Sequence, residues 1–262
     1  MKLTITGLIF ASTIALSAMT ATDLADRGLE IAEKADQADN GFGDSKVSLT
    51  MLLTNKQGQE SKRFLETYTL EQANDGDKSM VIFNNPKDIA GTATLTFTHR
   101  TGSDDQWLYL PALKRVKRIS SDNKSGPFMG SEFAYEDLSS QEVEKYTYKF
   151  VKEESLNGTA TYVVERDPVD EKSGYTKQVV WYNKTNYRIE KIDFYDRKNA
   201  KLKTLTYSNY KQYLGKYWRA GELYMVNYQT GKKTKLLFEN YQFKTGLTDD
   251  DFTQNSLQRA GK

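Results

Sequence analysis

Trp107 to Leu138 reads WLYLPALKRVKRISSDNKSGPFMGSEFAYEDL, and its reading sets the fold. It starts with an apolar run, Trp107-Leu108-Tyr109-Leu110, stopped by Pro111, which cannot donate to a sheet ladder. Lys114, Arg115, Lys117 and Arg118 follow. On a strand, successive side chains alternate between faces, so these four put positive charge on both. A strand buried in a core does not carry that pattern, which places this one at a rim. A polar loop then passes Gly126-Pro127 into Phe128, Met129, Phe133 and Tyr135, and closes on Glu136-Asp137. These loop residues have two readings: they finish a core, or they cover an apolar ligand and release it. Gly126 and Gly130 bracket Pro127, Phe128 and Met129, so the backbone there is free to hinge.

Outward from this stretch the period is two. Val47, Leu49, Met51 and Leu53 alternate with Ser48, Thr50 and Thr54, and Ala93, Leu95, Phe97 and His99 alternate with threonines. Asn157-Gly158 and Thr230-Gly231 read as hairpin turns. The run of hairpins predicts roughly eleven strands in nearest-neighbour order, an antiparallel meander that must curl. Asp23–Asp36 is expected to be a helix with a thin apolar stripe of Leu24, Gly28, Ile31, Ala32 and Ala35. Such a helix lies across the mouth of a sheet without filling it. At the other end, Phe252 and Leu257 are placed to dock on the sheet. The pattern leaves both a filled core and an apolar hollow open, and leaves open which sheet face is concave.

Composition narrows the function. Hydrophobic residues make up 38% of 262 and the mean hydropathy is −0.70, low for a doubly wound parallel sheet buried on both faces. Tyrosine is abundant, with 17 residues, which suits a half-exposed antiparallel sheet. A formal net charge of +2 argues against a nucleic-acid binder, and the lack of cysteine removes thiolate metal sites and cysteine nucleophiles. At the N-terminus, Lys2, the apolar run Leu3–Ala18 and the small residues around Ala18 and Ala21 read as a cleaved Sec-type signal peptide. Residues 1–21 are thus expected to be removed, leaving one mature domain, 22–262, in the periplasm.

Catalytic chemistry finds little support. His99 is the sole histidine, and no Gly-x-Ser-x-Gly elbow accompanies it. A hydrolase acting on lipid or glycan would have to use His99 with a carboxylate. No metal cluster or phosphate-cradling glycine loop is present in the sequence, and no cofactor is expected. Arg63 shares a strand face with Leu65, where a charged group among apolar neighbours needs a partner.

Two blocks carry a resemblance. WLYLPALKRVK follows the pattern W-x-Y-x-P-x-x-K/R-x-x-R/K, and FMGSEFAYED follows F-x-G-S-D/E-F/Y-x-Y-E-D; Asn85–Thr92 fits beside them. In these the chain resembles the outer-membrane lipoprotein-sorting (LolA-like) superfamily, in its exporter-associated branch. The resemblance implies a mainly β, open or half β-barrel with short capping helices, and a non-enzymatic carrier of lipid or lipoprotein acyl chains across the periplasm. It implies an RND-type inner-membrane transporter as partner, transient membrane contact, and a lid held by Arg63. The expected lining is Leu49, Met51, Leu65, Ile82, Leu95, Phe97 and Trp107, covered by Phe128, Met129, Phe133 and Tyr135. Lys114, Arg115, Lys117 and Arg118 are the expected docking patch. The other class of reading is a cargo-free exporter adaptor.

Overall fold

The computed structural model describes residues 19–120 and 123–260. The apolar leader segment, up to Ala18, lies outside the described residues. Two meanders make the sheet. The first runs through β1 (Asp44–Thr54), β2 (Glu60–Leu70), β3 (Lys78–Asn85), β4 (Ala93–Phe97), β5 (Asp105–Leu110) and β6 (Arg115–Ile119). The second runs through β7 (Tyr146–Leu156), β8 (Thr159–Pro168), β9 (Tyr175–Asn183), β10 (Ile189–Asp196) and β11 (Lys201–Ser208). A small separate hairpin, β12 (Lys211–Tyr213) and β13 (Tyr217–Arg219), precedes β14 (Glu222–Asn227) and β15 (Lys233–Phe243). Pairing of β15 with β1 fuses the meanders into one antiparallel sheet with β6 and β7 at its two edges.

The sheet therefore holds thirteen strands, more than the roughly eleven expected. Asn209, with a φ of 57°, ends β11 and turns the chain into β12 of the separate hairpin. Asparagine tolerates that left-handed conformation because its short side chain bonds locally.

Local pattern becomes core by register. Phe150, Val164, Val180, Ile192, Leu205 and Met225 are direct cross-strand partners from β7 to β14 and form one buried row. Phe238, Leu49, Leu65 and Phe83 form the corresponding row from β15 to β3. On the first meander the opposite face is also covered. Phe252 and Leu257, the latter in α2 (Gln254–Ala260), bury Met80, Ala93, Leu95 and Tyr109 there.

The chain between β6 and β7 has to travel from one edge to the other, and it does so over the inner face. Within it, Ser140 donates to Thr98 Oγ1 just beyond β4, and the next residue, Gln141, accepts from Arg166 on β8. Those strands lie nine places apart in the sheet order, about 43 Å if the sheet were flat at ~4.8 Å spacing. Adjacent residues cannot reach both unless the sheet curls around the crossing segment. The architecture is thus an open, antiparallel, curled sheet with short helices.

Helix α1 (Ala21–Asp39) lies over the second meander. Thr20 and Asp23 form a reciprocal capping box at its start, which satisfies two otherwise orphaned N–H groups. Gly28, Ile31 and Ala32 are its buried residues. A Cβ at Gly28 would sit 2.8 Å from Phe150 N and 2.9 Å from Lys149 C, so glycine is what lets the helix backbone rest on β7.

Candidate ligand cavity

Beneath α1 the inner face is not filled. A cavity of about 760 Å³ is bounded by α1, by Ser139–Val143 of the crossing segment, and by the inner faces of β7 to β15. Its apolar wall includes Ala32 and Ala35 of the helix, Val143, Leu223 and Phe238. Tyr148, Tyr182, Tyr187, Tyr207, Tyr210 and Tyr241 also line it. Burial holds the Tyr148, Tyr182 and Tyr207 phenols above their ordinary pKa, so they stay protonated and serve as donors.

The mouth is acidic. Asp36 and Asp39 come from α1, Glu71 and Asp77 from around the β2–β3 turn, and Glu142 from the crossing segment. Burial, reinforced by Glu142 and Glu71, pushes the Asp77 carboxyl up to about 7. Burial likewise raises Glu142 and Asp36. Arg219 pairs with Asp39, and the Arg188 guanidinium stacks on Tyr210 and Trp218 at 4.4 and 4.9 Å.

A polar row runs beside the apolar one: Tyr148, Arg166, Gln178, Phe194, Lys203 and Asn227 are successive cross-strand partners. The crossing segment docks on it. Lys203 Nζ donates to Asp137 Oδ2 at 2.7 Å and to the Glu132 carbonyl at 2.8 Å. Tyr175 Oη donates to Asp137, and Asn227 Nδ2 to Glu132 Oε2. Glu136 accepts from Ser173 Oγ and the Gly174 N–H, at 2.8 and 2.9 Å. Arg166 donates to amide oxygens, Gln178 Oε1 at 2.9 and 2.6 Å and Gln141 Oε1 at 2.9 Å, and lies against the neutral Tyr182 phenol.

The lining expected from sequence does not converge on this cavity. Leu49, Met51 and Leu65 face inward but are packed solid with Phe83 and Phe128. Ile82, Leu95, Phe97 and Trp107 belong to the opposite face, in the cluster that α2 covers. The reason is the pleat: on β4, Thr94 and Thr96 point inward, Thr96 accepting from Gln106, while Ala93, Leu95 and Phe97 point toward α2. A Leu65→Asp change would place charge in this packed cluster and should destabilise the sheet.

Of the covering residues, Phe128 and Phe133 are buried. Phe128 packs on Phe83 with ring centroids 5.6 Å apart and on Tyr135 at the same distance. Met129, at φ 48°, presents its carbonyl to the Arg63 guanidinium. Lys114, Arg115, Lys117 and Arg118 lie at the exposed edge, the last three on β6, with Arg118 bonded to Asp105. Like-charged edges resist pairing with another sheet. His99 is clamped at the end of the β4 segment, Nδ1 to Asp75 at 2.7 Å and Nε2 to Asp105 at 3.3 Å. The Asp75 contact raises its pKa, and both ring nitrogens face carboxylates rather than a hydroxyl nucleophile.

Comparison with known proteins places the chain. A crystal structure of a candidate outer membrane lipoprotein-sorting protein domain from Vibrio parahaemolyticus is 56% identical, with a TM-score of 0.88; the match covers 90% of this chain and 100% of that one. The chain belongs to the outer-membrane lipoprotein-sorting, LolA-like superfamily. A DUF1329 family protein from Desulfovibrio piger is 29% identical, TM-score 0.85, over 89% of this chain and 99% of that one. A LolA superfamily protein from Nitrosomonas europaea shares the fold at 24% identity, TM-score 0.70, over 91% and 100% of the two chains. A family model described as "Uncharacterized protein" matches residues 75–259. A search of curated proteins returns no match. Among the described residues no helix is long and apolar enough to cross a membrane.

Sequence reasoning missed Arg166, Lys203 and the tyrosine wall. The signal was there in part. Arg166 shares a strand face with Val164, and Lys203 with Leu205, the same anomaly that marks Arg63 beside Leu65.

Proposed function

We propose that this superfamily member is a non-catalytic periplasmic carrier whose cargo, a lipid or a lipoprotein acyl chain, occupies the cavity under α1. The observation that carries the reading is a hollow of about 760 Å³, walled in part by tyrosine and alanine and roofed by one helix. Its volume falls in the usual range for small-ligand sites. Apolar area removed from water supplies affinity at about 25 cal/mol per Å². Lifting α1 from β7 supplies a route for release; the helix rests there through Gly28, Ile31 and Ala32, with Arg27 paired to Glu153 and stacked on Phe150. Delivery to another membrane or to an RND-type exporter then uses the basic edge β6 as the docking surface.

Filling the hollow tests the carrier reading. Ala35→Trp places an indole inside the cavity from the helix side, and uptake of a fluorescent fatty acid should fall at least tenfold while the thermal midpoint stays within a few degrees. Native mass spectrometry of the wild-type protein from cells should show bound lipid that the variant lacks. Wild-type protein that takes up no amphiphile at all would defeat the reading and leave the cargo-free adaptor in its place. The hydrolase alternative requires turnover lost in His99→Ala, and the twin carboxylate clamp on that ring speaks against it.

A further inference from the structure

We infer that Arg166 is the anchor for the anionic end of the cargo, so that the cavity selects amphiphiles ending in a carboxylate or phosphate over neutral ones. The inference rests on the carrier reading and narrows its substrate class. A guanidinium remains charged in any protein environment, and a buried charge is costly unless an opposite charge meets it. Two cations lie in the polar row of the inner face, and the fold treats them differently. Lys203, with 4% of its side chain exposed, has the Asp137 carboxylate at 2.7 Å. Arg166, 3% exposed, has no ion pair among the described residues, and its hydrogen bonds end on the neutral oxygens of Gln178 and Gln141.

The position of that uncompensated charge is what ties it to cargo. Arg166 lines the cavity, with Tyr148, Tyr182 and Tyr207 on the same wall. Tyr146 lies under its plane at 4.3 Å, which stabilises the cation without neutralising it. A planar guanidinium offers paired donors that match a carboxylate or a phosphate, and the protonated Tyr182 and Tyr207 phenols add further donors, the Tyr148 hydroxyl being taken by the Val143 carbonyl. The apolar tail of the same molecule would then lie toward Ala32, Ala35 and Leu223. One of the Arg166 bonds goes to Gln141 of the crossing segment, next to the segment's contacts with the mouth. An arriving anion competes for that bond, so occupancy and the hold on the crossing segment are linked.

Four probes are titrated against the protein: a long-chain fatty acid, its methyl ester, a single-chain lysophosphatidic acid, and inorganic phosphate alone. Wild type should bind the acid roughly 10- to 100-fold more tightly than the ester, the range expected for one charge-assisted pair. Lysophosphatidic acid binding well, with no competition from millimolar phosphate, assigns the site to an amphiphile rather than a free ion. Arg166→Met should bring acid and ester to equal affinity and leave the thermal midpoint unchanged or higher, because it removes a buried unpaired charge. A preference for the acid that survives in Arg166→Met overturns the assignment. Should that variant fail to fold, Tyr207→Phe and the wild-type acid-to-ester ratio decide: a severalfold loss for the acid alone supports it, and a wild-type ratio near one overturns it. Failure of the carrier reading looks different, since then neither acid nor ester binds wild type.

Discussion

The two halves of the sheet hold the same crossing segment by different chemistry. Over the first meander the contact is mainly apolar: Phe128 is buried against Phe83, Leu49, Met51 and Leu65, with Arg63 and Gln106 each fixing one carbonyl and Thr98 accepting from Ser140. Over the second Phe133 is buried as well, but ionic and amide contacts are added: Glu132, Asp137 and Gln141 meet Asn227, Lys203 and Arg166. The apolar half is dry and closed on both faces, with α2 behind it. The polar half keeps a cavity, because a row of charged and amide side chains cannot collapse into contact with α1 as an aliphatic row would. Apolar packing fixes the segment in place; the polar row is where a ligand finds both space and a charge.

The largest effects should come from breaking each anchorage in its own way. Phe128→Ala removes a fully buried ring and should cost about 3–5 kcal/mol in urea unfolding. Asp137→Leu strands the buried Lys203 ammonium and should cost a similar ~3–5 kcal/mol. The two differ on rescue. Lys203→Met added to Asp137→Leu should restore more than half of that loss, whereas no second change in the polar row restores Phe128→Ala. Equal behaviour of the two double variants would erase the distinction between the halves.

Next in size is the seat of the roof. Any side chain at position 28 meets the β7 backbone at under 3 Å, so Gly28→Ala should push α1 outward and cost roughly 1–3 kcal/mol. Hydrogen exchange should rise in α1 and not in β1 to β3. Cargo exchange should speed up. If protection were lost equally across both meanders, the helix would be part of the global core and not a roof.

The same asymmetry governs what the sequence revealed. Strand periodicity, the Asn157-Gly158 hairpin, the helix at Asp23–Asp36 and the docking of Phe252 and Leu257 were all legible, because each is a local pattern. The concave face was not. On β4 the more apolar set, Ala93, Leu95 and Phe97, packs against residues some 150 positions downstream, while Thr94 and Thr96 line the inside. Alternation gives the parity of a strand but not which side of the sheet its partners will come from. Leu95, Phe97 and Trp107 of the expected lining thus pack on the face that α2 covers and not on the cavity side. The cavity is carried instead by tyrosines and by Arg166, residues whose polar ends made them look like surface.

A smaller effect comes from acidity at the mouth. Asp77 holds its proton to about pH 7 in the native state, since burial and the facing Glu142, Glu71 and Asp39 disfavour its anion. In the unfolded chain it gives the proton up near 4. Between those values the native state binds more protons, so stability falls as pH rises through the window. Lowering the pH from 8 to 6 should therefore stabilise the fold by roughly 1–1.5 kcal/mol from this group. Asp77→Asn should flatten that slope and be the more stable protein at pH 8. A slope unchanged in the variant would move its origin to Glu142 or Asp36.

The smallest effect on stability, and the sharpest on traffic, belongs to the edge. Lys114, Arg115, Lys117 and Arg118 sit on or beside β6, where the sheet ends and no strand pairs further. Exposed charges of this kind contribute little to folding, and among the described residues Arg118 with Asp105 is the only ion pair these four make. Replacing all four by serine should change unfolding free energy by less than about 1 kcal/mol. Their field is another matter. A like-charged edge speeds encounter with an anionic membrane or an acidic transporter surface, and the gain is screened as salt rises. Transfer of cargo to anionic vesicles at low salt should slow about tenfold in the serine variant, and the two proteins should converge at high salt. Equilibrium uptake of the fatty acid should not change, because the edge lies across the sheet from the cavity. Transfer that stays fast in the variant would leave the basic edge with only its protective role against sheet-to-sheet pairing.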